Sequence, residues 1–166
     1  LLNKYNFKAT CFIVSSLVGQ SNLWDRNKNN FIKKELMTSN DINEWINNGM
    51  LIGSHSRTHK NLTKIDVLEL DKEIINSKDE LENLCGNKIE SFSYPYGKLN
   101  KKIYEKVKVK YNYAVTTVRS RFNTLKHKKC YVPRIHMSNN LSKINLFFKF
   151  KTFYEDIKYN EKSIYM

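Results

Sequence analysis

Between Ile65 and Leu84 a stripe of Val67, Leu70, Ile74, Ser77, Leu81 and Leu84 steps by three or four without a break, while the intervening positions are largely charged. That period belongs to an α-helix with one buried face, and Gly86 supplies its C-terminal stop. A helix of this length must bury its stripe against something, and short apolar runs on both sides offer a sheet. Phe7 to Val14, Met50 to His55, Ile89 to Tyr94, Tyr113 to Thr117 and Tyr131 to Met137 each have the length and character of a strand. Pro95-Tyr96-Gly97 breaks the third of these sharply. Shorter helical faces lie between them: Ile42, Trp45 and Ile46 after possible caps at Ser39-Asn40-Asp41, and Leu99, Ile103 and Val107. Strand and helix therefore alternate, which defines an α/β class with a mainly parallel sheet. Ser15 to Lys34 and the basic stretch Arg119 to Lys129 read as loops, and a terminal helix is expected near Asn140 to Phe150.

The 166 residues suit one domain with a real core. Its expected extent is 1–139, with 140–166 a helix and tail packed on the same domain. Apolar content of 40% argues against disorder. No apolar run reaches the length of a membrane span, and no secretory signal opens the chain. Cys11, Cys85 and Cys130 are scattered and form no C-x-x-C pair, which argues against a zinc ribbon or redox motif; Cys11 and Cys85 read as small buried hydrophobes, and an odd count rules out a full disulfide framework while leaving room for a single bridge. The formal net charge of +13 is unevenly placed. Residues 1–97 carry 12 Lys and Arg against 12 Asp and Glu, so the remaining 17 basic and 4 acidic residues all fall in 98–166. Such an excess suits an anionic partner or a solvated surface, but no nucleic-acid motif accompanies it.

The strongest chemical signal is Gly53-Ser54-His55-Ser56-Arg57-Thr58-His59. Two imidazoles four residues apart share a face on a helix or helical turn and can reach one ion, and zinc accepts neutral imidazole readily. The same spacing also suits a pair of loop histidines. The second apolar run delivers His55 at its C-terminal end, where α/β barrels and open sheets carry their sites.

Lys8-Ala9-Thr10-Cys11-Phe12-Ile13-Val14, the histidine segment, and Phe92-Ser93-Tyr94-Pro95-Tyr96-Gly97, in that order and separation, resemble the polysaccharide deacetylase family, also called NodB-like or carbohydrate esterase family 4. The similarity runs from residue 1 to about residue 137. It implies a distorted (β/α) barrel that removes acetyl groups, with a divalent metal such as zinc, from peptidoglycan, chitin-like polymers or poly-N-acetylglucosamine, outside the cell or in its envelope. By the same resemblance His55 and His59 bind the metal, and the backbone N–H of Tyr96 holds the oxyanion. Tyr94, Pro95 and Tyr96 line the substrate. His136 is the candidate general acid, ahead of His127 in the basic loop, although the usual Leu-x-His pattern is absent around it. Alternation along its strand puts Arg134 on the same face as His136.

Two departures from the family pattern bear on activity. The arginine common two residues before the proline of the third motif is replaced by Ser93. The family's Asp-Asp strand, source of the general base and of a third, carboxylate ligand, belongs upstream of the segment matching Asn6 to Val14, and Asp25 and Asp41 stand downstream of it. The resemblance thus implies an N-terminally truncated barrel whose first visible strand is a sheet edge. It implies little or no activity for these 166 residues alone, with a degenerate, non-catalytic glycan-binding module as the alternative.

Overall fold

A computed structural model describes residues 2–123 and 128–158 of the chain. Four strands form one sheet: β1 (Thr10–Ile13), β2 (Leu51–Ser54), β3 (Ser91–Ser93) and β4 (Tyr113–Val115). They lie side by side in chain order, and every pairing is parallel. Parallel neighbours need a crossover, and helices lie in all three: α1 (Ser39–Asn47), α2 (67–85) and α3 (Lys101–Lys110). Strand order that never reverses is the winding of a barrel wall, whereas a doubly wound sheet reverses at its switch point. Two further helices, α4 (Lys143–Lys151) and α5 (Tyr154–Lys158), follow. Among the described residues no helix is long and apolar enough to cross a membrane.

The stripe in α2 is buried as its period requires, with Leu70, Ile74, Ser77 and Leu81 at 2% exposure or less, but Val67 is exposed. Asp66 caps this helix by accepting from the Glu69 N–H, and Gly86 ends it in the left-handed conformation. Its middle is a π turn over Lys72–Asn76. The extra residue of such a turn changes which side chains face inward, and Glu73 is buried beside Ile74. For α1 the cap is Thr38, one residue before the expected Ser39. Thr38 and Asp41 form a reciprocal capping box, which satisfies two orphan N–H groups at once.

The strand expected over Tyr131 to Met137 is reduced to one bridge, Val132 to Val115, followed by a bond from Arg134 N–H to the Val118 carbonyl. Pro133 has no N–H for a further strand to use, so the segment ends the sheet. Around α4 the contacts reach the loop after β4: Arg121 Nη2 donates to the Phe150 carbonyl and Ser120 Oγ to Asp156 Oδ1. Ile144, Phe147, Phe148, Phe150 and Phe153 nevertheless stay exposed, so this part is less closely packed than its apolar content suggests. All three cysteines are free thiols, with Cys130 buried.

Candidate active site

His55 follows β2 directly, and its N–H donates to the Ile13 carbonyl, so the first imidazole leaves the C-terminal end of the sheet on a fixed backbone. The next four residues are a loop, and the shared helical face suggested by the i,i+4 spacing is absent. Ser56 and His59 both adopt left-handed φ, 64° and 60°. Such conformations cost on the order of 1–3 kcal/mol each and persist only where the surroundings over-determine them. Here α2 does so. The Glu73 carboxylate accepts the N–H groups of Arg57 (3.0 Å) and Thr58 (2.9 Å) and the Thr58 hydroxyl. Glu80, two turns on, accepts from Arg57 Nε at 2.6 Å and from Ser15 Oγ at 2.6 Å. Ser56 Oγ accepts the His59 N–H at 3.1 Å, closing the turn.

The outcome is convergence of the two rings. His55 Nδ1 lies 2.7 Å from the Ser93 carbonyl. A carbonyl only accepts, so Nδ1 carries the proton and Nε2 of the neutral ring presents its lone pair. His59 Nε2 is 3.2 Å from that atom. Burial pushes the His55 pKa down, against the Ser93 bond, and the Arg134 charge adds to the lowering. His59 is pushed down to about 4, first by burial and then by His55, with the Asp25 charge opposing. Both rings are therefore neutral near pH 7, the state in which imidazole ligates. Trp24 stacks on His59 at 4.5 Å and Tyr96 meets it edge-on at 4.8 Å. Tyr96 sits in the turn after β3 with φ 59°, so among the described residues three of the four non-glycine positions with positive φ belong to this site.

As a test of fit, two nitrogens bound at 2.0–2.1 Å to a tetrahedral ion lie about 3.4 Å apart, close to the distance between the two Nε2 atoms. His59 Nδ1 is buried without a hydrogen bond, and it must hold the ring proton when Nε2 ligates. The pair fits a divalent ion as two ligands. Among the described residues, however, no group of three or more His, Cys, Asp or Glu can hold one. Asp41 is spent on the α1 cap. Asp25 is closer, since its charge acts on both His59 and Tyr96. Its Oδ1 forms an ion pair with Lys28 at 2.6 Å but is buried without a directed hydrogen bond.

His55, His59 and Tyr96 are thus brought together, and the others are not. Tyr94 is 1% exposed and spends its hydroxyl on the Cys130 carbonyl, and Pro95 is buried as well, so neither side chain offers a surface to substrate. His136 is exposed, with no hydrogen bond or ion pair to the pair of rings. Arg134 Nε donates to the Thr116 carbonyl at 2.6 Å. His127 lies outside the described residues. Trp24, Glu73 and Glu80 were not anticipated. The two glutamates share a helix face through their spacing of seven, but charged residues on a helix ordinarily read as solvated.

A parallel sheet wound in chain order, with paired histidines at its C-terminal end, is the arrangement of a partial α/β barrel of the NodB deacetylase fold. The model of the polysaccharide deacetylase family matches residues 1–115, and the chain belongs to that family. Among curated relatives, the putative polysaccharide deacetylase YxkH of Bacillus subtilis is 26% identical over 118 residues, covering 70% of this chain and 38% of the relative. A bifunctional xylanase/deacetylase of Pseudobutyrivibrio xylanivorans is 24% identical over 107 residues, covering 64% of this chain and 15% of the relative. The chain therefore spans less than two fifths of either. Solved structures share the fold. The Streptococcus pyogenes deacetylase PplD in complex with acetate has a TM-score of 0.74 at 22% identity, over 90% of this chain and 62% of that one. A polysaccharide deacetylase from Bacillus cereus has 0.73 at 21%, over 87% and 42%.

Proposed function

We propose that this chain carries the metal-binding half of a deacetylase centre that hydrolyses acetyl groups from N-acetylglucosamine-containing glycans of the cell envelope or extracellular matrix. The carrying observation is the pair of Nε2 atoms 3.2 Å apart, with His55 fixed by the Ser93 carbonyl. His55 and His59 would hold the ion, and zinc is among the borderline metals that two neutral imidazoles suit. When bound, such an ion supplies Lewis acidity toward the acetyl carbonyl and toward water. Ser93 sets the tautomer of His55, and Glu73 holds the loop that aims His59. The backbone N–H of Tyr96 would serve as the oxyanion donor, and the Tyr96 and Trp24 rings against His59 limit the access of water to it.

A general base and a third ligand are also required. On this reading an Asp-Asp segment completes the centre, and the 166 residues alone release little acetate. Equilibrium dialysis with zinc should detect one weak site in the chain, lost on His55→Ala or His59→Ala. A form extended before residue 1 by a strand bearing paired aspartates should release acetate from N-acetylglucosamine hexamer in a chelator-sensitive way, and His55→Ala should abolish the release. If the extended, zinc-loaded form releases none, the deacetylase reading is wrong. The absence of a third ligand among the described residues favours one alternative, a non-catalytic glycan-binding module, for which oligosaccharide binding survives chelation.

A further inference from the structure

Beside His59 a cavity of about 490 Å³ opens between the histidine loop and the turn after β3. Trp24, His59 and Tyr96 form its aromatic side, and Lys60, Lys64 and Lys98 its rim, with no acidic residue in the lining. The neighbouring carboxylates are already engaged, Glu73 by the N–H groups of Arg57 and Thr58 and the Thr58 hydroxyl. Glu69 pairs with Lys60, and Asp25 pairs with Lys28, whose ammonium also lies 5.7 Å over the Tyr96 ring. Among the described residues Lys64 and Lys98 form no ion pair, and both are exposed. The rim therefore keeps two uncompensated positive charges next to an imidazole of the metal pair.

The hydrogen-bonding inventory is as one-sided as the charge. Lysine donates and cannot accept. Of the other polar lining groups, Thr58 spends its hydroxyl proton on Glu73, and Asn61 Oδ1 already accepts the Thr63 N–H and hydroxyl, which leaves the Tyr96 hydroxyl as the main side-chain acceptor. A neutral sugar presents hydroxyls that both donate and accept, and this rim would leave many of their donors to water. A group that only accepts, and is negative, matches it better, and a sugar ring beside that group can stack on Trp24 or Tyr96.

We propose that this cavity is a subsite for an acidic sugar, so that the preferred glycan bears a carboxylate or phosphate within about one residue of the N-acetyl group presented at His59. This rests on the glycan reading above but not on catalysis. Lys64 and Lys98 set the specificity, and the aromatic pair supplies stacking that is indifferent to charge.

Calorimetric binding to the chain tests it with three probes: a neutral N-acetylglucosamine tetramer, a tetrasaccharide alternating N-acetylglucosamine with glucuronate, and an N-acetylglucosamine disaccharide bearing a 6-phosphate. At low ionic strength at least one acidic probe should bind about five- to tenfold tighter than the neutral one, as expected of two partly exposed ion pairs. The ratio should fall toward one at about 0.5 M salt. Which acidic probe leads assigns carboxylate or phosphate. Lys64→Glu combined with Lys98→Glu should abolish or invert the preference. The Lys64→Gln, Lys98→Gln pair should reduce the preference without reversing it, and equal urea midpoints would exclude a folding defect. Equal or tighter binding of the neutral tetramer by the native chain overturns the proposal, and so does a preference that both lysine variants retain. Acidic preference in the chain, with no acetate released by the extended, zinc-loaded form, would leave the subsite standing and remove the deacetylase reading.

Discussion

A single buried carboxylate decides whether the two imidazoles meet. Glu73 is 2% exposed and accepts two backbone N–H groups and a hydroxyl from the loop between His55 and His59. Removing an acceptor from buried donors costs about 1–3 kcal/mol per group. Glu73→Ala should therefore lower the unfolding free energy by about 2–4 kcal/mol in urea titrations. Amide exchange should accelerate at Arg57 and Thr58 before any global change. Glu73→Gln, which keeps an acceptor oxygen, should recover part of both. An unaltered exchange rate in the alanine variant would show that the loop holds itself.

The element whose identity is most tightly set is β2, because it lies between two parallel neighbours and carries Gly53. A Cβ there would stand 2.6 Å from the Phe12 ring and 2.6 Å from Ser91 Oγ, one on each adjoining strand. Close approach of neighbouring chains is thus built into the sheet, and overpacking of this kind costs about 1–3 kcal/mol. Gly53→Ala should lower thermal stability accordingly and displace His55, two residues on. Loss of zinc affinity beyond what the stability change explains is the expected signature, measured on folded protein well below the midpoint. The strand segments, the stripe of α2 and its glycine stop were all legible in the sequence because they are periodic or local. The shortened fifth strand was not, since the pairing of Val132 depends on what lies beside it.

At the scale of the whole molecule, Tyr111 ties the end of α3 to the middle of α2. Its hydroxyl donates to the Ile74 carbonyl at 2.8 Å and meets Ser77 Oγ at 3.3 Å, in the region of the π turn. Burial pushes its pKa up to about 12. The unfolded chain loses this proton near pH 10 and the folded chain near 12. In that window the unfolded state binds fewer protons, so stability that is complete below pH 10 is lost as pH rises to 12, by about 2–3 kcal/mol at most. Tyr111→Phe should cost about 1 kcal/mol at pH 8 through the lost hydroxyl bonds, since Ser77 Oγ still donates to the Ile74 carbonyl. The variant should then lose less further stability than the native chain between pH 10 and 12, as read from urea midpoints.

What the sequence by itself determined is the alternation of strand and helix, and the membership of His55, His59 and Tyr96 in one set of motifs. These follow from periodicity and from residue types whose chemistry is local. Only the tertiary structure decided that the histidines converge through a strained loop and not along a helix face. It also set Glu73 and Glu80 as the supports of that loop and turned Trp24 against His59. The same packing buried Tyr94 and Pro95 and left His136 outside the pair. In each case the reason is physical. A side chain's burial and its hydrogen-bond partner are set by elements distant in the chain, and spacing along the chain carries no record of them.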